Sequence, residues 1–260
     1  VALSPEELSD LKRAKGLLEN PGLAARVSTL VGTPVELVLK KLPSSLHGTI
    51  QSATRTAIEK ALDAAMLTMK NRYEQEPSSD LWHKLAAGAS GAVGGFFGLP
   101  ALALELPVST TIILRSIADI ARSEGEDLGQ PDVRLQCLQV LALGGTSKGD
   151  DIAETGYFAA RAALAKAVSE AVEHLAKHGL TQQGAPAIVR LISQIAARFS
   201  IIVSEKVAAQ AVPVVGALGG AAINTLFMNH YQDMGRGHFM VRRLERLHGP
   251  EEIRQLYTSL

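Results

Sequence analysis

The chain has 260 residues, 47% of them hydrophobic, enough to bury a sizeable core and to argue against disorder. Its 26 basic and 26 acidic residues cancel, so no global field recruits nucleic acid, and any contact with an anionic membrane must be local. A single cysteine, Cys137, excludes an internal disulfide and a cysteine-based zinc site and fits a reducing compartment; its setting in LQCLQVLAL marks a buried structural thiol.

Only 4% of the residues are aromatic, alanine and leucine are abundant, and alternating β-branched runs are absent, so the hydrophobic period is helical throughout. Glycines and prolines cut the chain into segments 5–18, 21–32, 34–42, 44–74, 79–98, 100–123, 131–143, 151–178, 185–211 and 213–247, with a last turn from 250. This predicts an all-α fold, a single compact domain of roughly nine to eleven helices. Residues 1–78 read as an N-terminal helical region and 79–260 as the core, with EQEPSSD at 74–80 as the seam. Ser4, Pro5, Glu6 and Glu7 form a helix-start pattern, and the charged amphipathic segment that follows is unlike a secretory signal.

The stretch 91–107, GAVGGFFGLPALALELP, places one carboxylate, Glu105, in an apolar run. Gly88, Gly91, Gly95 and Gly98 recur at helical spacing, as do Gly216 and Gly220, giving smooth faces on which a second backbone can pack closely. Two windows without formal charge, 85–104 and 207–229, are long enough to span a bilayer, but Pro100, Glu105 and Pro107 interrupt the first. Tight crossing of two central Gly-rich helices in a core is the favoured reading, with lipid contact or an acyl-chain cavity as the other. GAVGG at 91–95 recurs as GALGG at 216–220, and Glu105 and His230 fall at the same offset from the two copies. GGTSKGD at 144–150 is not a phosphate loop, its letters being in the wrong order.

Farther along, Gly144-Gly145 supplies a left-handed end to one helix, and Asp151 with Glu154 forms a cap for the next. Arg115 and Asp119 share a face of an apolar helix, as do Glu154, Tyr157 and Arg161; polar groups so placed are costly unless they pair, which predicts buried networks. In NHYQDMGRGHFMVRRLERLHG, residues 229–249, His230 and Asp233 converge on one helix face. That spacing suits an acid/base pair or a divalent metal, the candidate catalytic set being Glu105, His230 and Asp233 and the candidate ligands those three plus His238. The plainer reading is a polar face with Asp233 paired to Arg236 or Arg242, and the RRLER end complements the helix dipole or meets an anionic partner. No H-E-x-x-H or G-x-S-x-G occurs.

Taken in order, the blocks GAVGGFFGLPALALELPVSTTIILRSIADIARSEGEDLGQPDVRLQCLQVLALGG, AETGYFAARAALAKAV and PVVGALGGAAINTLFMNHYQDMGRGHFMVRRLERLHG resemble the EcsC family of bacterial proteins over about residues 80–250. The positions that carry the resemblance are Glu105, Pro107, Arg115, Asp119, Glu154, Tyr157, Arg161, Asn224, His230, Asp233, His238, Arg242 and Arg243. The resemblance implies association with membranes or membrane proteins and brings no catalytic set with it. Three expectations stand: a cytoplasmic accessory protein, peripheral at the inner membrane face and acting through a protein or lipid; a metal-dependent or acid/base hydrolase; and a lipid or acyl-chain carrier.

Overall fold

The helix starts marked in the sequence at Pro5, Pro131 and Pro250 are helix starts in the fold. The computed structural model describes residues 3–19, 22–31, 34–68, 99–144, 156–178, 185–211 and 216–260. Among them are ten α-helices: α1 Pro5–Leu18, α2 Leu23–Val31, α3 Val35–Leu39, α4 Ser44–Thr68, α5 Leu99–Ser123, α6 Pro131–Gln139, α7 Gly156–His178, α8 Pro186–Gln210, α9 Gly216–His248 and α10 Pro250–Ser259. The glycine face at 88–98, the seam at 74–80, the Asp151/Glu154 cap and residues 145–150 of GGTSKGD lie outside the described residues.

Local chemistry accounts for several boundaries. Ser4 and Glu7 form a reciprocal capping box on α1, the serine Oγ accepting from Glu7 N at 3.2 Å and the glutamate accepting from Ser4 N at 2.8 Å. Proline occupies the first turn of α1, α6, α8 and α10, where its missing N–H would have had no partner. Pro107 lies inside α5 without ending it. The carbonyl it deprives belongs to Ala103, which is exposed and can be satisfied by water. After α6 a 3₁₀ turn, Val140–Ala142, leads to Gly144 at φ +78°, the left-handed residue expected there.

The longest helix, α9, rises about 50 Å and packs against α1, α2, α5, α8 and α10, while α4 lies on α5 and α8. Phe199 of α8 and Phe227 and Tyr231 of α9 stack edge-on at the centre, with Tyr231 5.6 Å from Phe199 and 5.2 Å from Phe227. Cys137 is fully buried, and desolvation holds its thiol protonated, as a structural role requires. The uncharged window 207–229 is divided between the end of α8 and the start of α9. Among the described residues α8 alone is long and apolar enough to cross a membrane, with mean hydropathy 1.6; 44% of its apolar window is buried, and it packs against α2, α3, α4 and α7.

Helix α1 crosses α9 closely at Gly237. A methyl group there would lie 2.5 Å from Leu18 Cγ and 3.1 Å from the Ala14 carbonyl oxygen of α1, whereas at Gly235 the nearest atom is Ile117 Cγ1 at 3.5 Å. Gly235→Ala therefore gains helix propensity, raising stability by about 0.5–1 kcal/mol. Gly237→Ala instead forces α1 outward and lowers stability by about 1–3 kcal/mol. Urea unfolding of the two variants checks this, and equal effects would show that α1 does not rest on α9 at that glycine.

Candidate functional site

Glu105 faces the core from α5, and its partner comes from α8. Lys206, fully buried, donates to Glu105 Oε1 at 2.6 Å, and Asn224 of α9 donates to the same oxygen at 3.1 Å. The ammonium also sits 4.8 Å from the centre of the Phe227 ring, whose face favours a cation. Burial pulls the Lys206 pKa down and Glu105 pulls it back, the opposition expected of an ion pair removed from water. Lys206 was not among the sequence candidates. Its signal is a charged residue in the apolar run IIVSEKVAAQ, with nothing in the local pattern to name its partner.

His230 was the expected partner of Glu105, but it stands six residues beyond Asn224, about 9 Å farther along the helix. It is 1% exposed, with its ring against Gly144: a Cβ on that glycine would lie 2.7 Å from His230 Cε1 and Nε2. Its Nε2 has no hydrogen-bond partner among the described residues. Burial, helped by the nearby Arg26 charge, lowers its pKa to about 4, so the imidazole is neutral at physiological pH. Asp233 turns toward α2, accepting from Arg26 at 2.9 Å with Arg236 at 3.7 Å, so the plainer pairing with Arg236 is present, supplemented by an arginine from a second helix.

His238 belongs to a third environment. Its Nδ1 lies 3.0 Å from the Tyr157 hydroxyl, which accepts from Arg161 at 3.1 Å; Arg161 also grips both oxygens of Glu245, at 2.7 and 3.0 Å. With the arginine donating into the phenol oxygen, the arrangement favoured is the one in which the Tyr157 O–H donates to His238 Nδ1 and the imidazole proton sits on Nε2. Burial and the charges of Arg161 and Arg242 push the His238 pKa well below its ordinary value. Tyr157 and Arg161 thus form the buried network expected of them, with His238 and Glu245 as partners; Glu154 lies outside the described residues.

The four candidate metal ligands therefore occupy separate places, and among the described residues no three His, Cys, Asp or Glu side chains are placed to hold a metal ion. This corrects the ligand set drawn from helical spacing: α9 is long enough that residues on one face meet different neighbours. Arg115 is exposed, and Asp119 pairs with Arg122 at 3.1 Å. The RRLER arginines are neutralised internally. Arg242 bonds Glu126 and Asp132, Arg243 bonds Asp10 and Glu124, and Arg246 bonds Glu126.

The fold also forms a cavity of about 510 Å³, open to solvent on one side, among the end of α1, α2, α3, α7, α8 and α9, with Gly144 in its wall. Glu205, adjacent to Lys206 on α8, lines it and accepts from the Ala24 backbone N–H at 3.1 Å, capping α2. Desolvation raises its pKa to about 7 against the pull of the Ala24 bond, with the charge of Glu36 adding a smaller push upward. This carboxylate was not among the candidates either.

The lowered pKa of His230 has a consequence for stability. Its contribution is present above about pH 6.5, the unfolded value, and is lost as pH falls toward 4, because the unfolded chain takes up the proton more readily. The difference in unfolding free energy between wild type and His230→Leu should accordingly shift by about 2–3 kcal/mol against wild type between pH 7.5 and 4.5. Urea titrations at the two pH values measure it; a constant difference would mean that His230 is not held neutral by burial.

Residues 6–244 match the family model of the EcsC protein family. Comparison with curated proteins and with solved structures gave no match. The match begins within α1, well before the sequence blocks that start near residue 80, in keeping with the packing of α1 and α4 into the same core. Spanning nearly the whole helical assembly, it places this chain in the EcsC protein family.

Proposed function

We propose that this EcsC protein is a cytoplasmic accessory protein that works at a membrane surface, peripheral on its inner face, with α5 as the contacting element. The observation that carries this reading is an inverted face. On α5 the carboxylate Glu105 points inward and is 8% exposed, while its neighbour Leu104 points outward at 78% and Val108, one turn on, at 52%. Water alone would favour the opposite arrangement, since each exposed side chain of this size forgoes roughly 1.5–3 kcal/mol of burial. Arg115 is exposed farther along the same helix face, three turns from Leu104, where it complements anionic headgroups. An apolar tip followed by an arginine suits an interfacial helix better than a catalytic cleft. Hydrolysis through Glu105 has less support, because that carboxylate is occupied by Lys206 and Asn224.

Cosedimentation with vesicles of phosphatidylcholine and phosphatidylglycerol tests the proposal. The wild-type protein should pellet with them, and Leu104→Glu/Val108→Glu should bind at least about tenfold more weakly, with helicity unchanged by circular dichroism. Leu247→Glu, an exposed leucine elsewhere, should bind as wild type does. Wild-type protein that stays in the supernatant, or a double variant that pellets equally well, would overturn the assignment of α5.

A further inference from the structure

We propose that the cavity among α2, α3, α7, α8 and α9 binds an amphiphilic organic cation, its ammonium group beside Glu205 and its apolar body against the helix walls. At about 510 Å³ the space falls within the range of small-molecule sites. Val35, Leu39, Leu143, Ala160 and Met234 make it largely apolar. Among the described lining residues the formal charges are all of one sign, those of Glu19, Glu36 and Glu205. These carboxylates are not grouped to chelate a metal ion. A dispersed negative potential over apolar walls fits a large, weakly hydrated ammonium ion.

The contrast between two neighbours on α8 sharpens the point. Lys206 is buried and balanced by Glu105, whereas Glu205 next to it has no cationic partner among the described residues. One of its oxygens is taken by the Ala24 N–H, and burial beside Glu36 holds its pKa near 7, so a cation in the cavity supplies the charge the fold does not. Behind the Gly144 wall lies the buried His230 ring, which is neutral and so adds no positive charge beside the cavity. The site is independent of the outer face of α5, and vesicle binding should not depend on it.

Isothermal titration of the purified 260-residue chain tests the inference, with decyltrimethylammonium far below its micelle-forming range as the probe and decanoate as the anion of equal chain length. Saturable one-to-one binding of the cation is expected, with decanoate at least about tenfold weaker. Glu205→Gln should weaken the cation by roughly tenfold or more while keeping an oxygen to accept from Ala24, so that α2 stays capped. Ala25→Trp, an exposed position in the lining, should block entry without altering the core, and Glu59→Gln on α4 should change nothing. Equal binding of cation and anion, no binding of the cation, or undiminished binding by Glu205→Gln or Ala25→Trp would each overturn the assignment, whatever the vesicle experiment shows.

Discussion

The ion pair between Glu105 and Lys206 is the constraint around which the described fold is arranged. Two charges removed from water are tolerated only when each compensates the other at close range, so α5 and α8 cannot rotate or slide independently. Asn224 adds α9 to the same point, and the Phe227 ring closes over the ammonium. Turning Glu105 inward also turns Leu104 and Val108 outward, because neighbouring residues on a helix project about 100° apart. The apolar outer face of α5 and the polar centre of the core are two sides of one orientation.

Along the chain the helices were largely legible because their punctuation is local. The Ser4/Glu7 box, the prolines opening α6, α8 and α10, and the left-handed Gly144 each act within a few residues, and sequence records such signals directly. Pro107 left α5 intact because only the exposed Ala103 carbonyl loses its partner. Partners were far less legible. Glu105 and Lys206 are separated by 101 residues, and Arg161 and Glu245 by 84, so no periodicity links them. The internal echo pointed from Glu105 to His230, but the cation that Glu105 pairs with lay in a helix that reads as apolar.

The glycines carry a related lesson. At Gly237 α1 crosses α9 and Leu18 fills the space a methyl group would need, a close approach to which the spacing of Gly216 and Gly220 did not point. Glycine spacing shows where a close approach is allowed, and only the partner helix shows where it is used. Similarly, the C-terminal arginines look like an anion-binding patch until Asp10, Glu124, Glu126 and Asp132 arrive from other parts of the chain.

A double-mutant cycle on the central pair tests this account most directly. Glu105→Gln and Lys206→Met, each alone, leave one buried charge without its counterion and should lower unfolding free energy in urea by about 3–5 kcal/mol. Together they remove both charges, and the double variant should be more stable than either single one, with a coupling energy of about 2 kcal/mol or more. Additive losses, with no coupling between the two positions, would contradict the claim that this ion pair sets the orientation of α5 against α8.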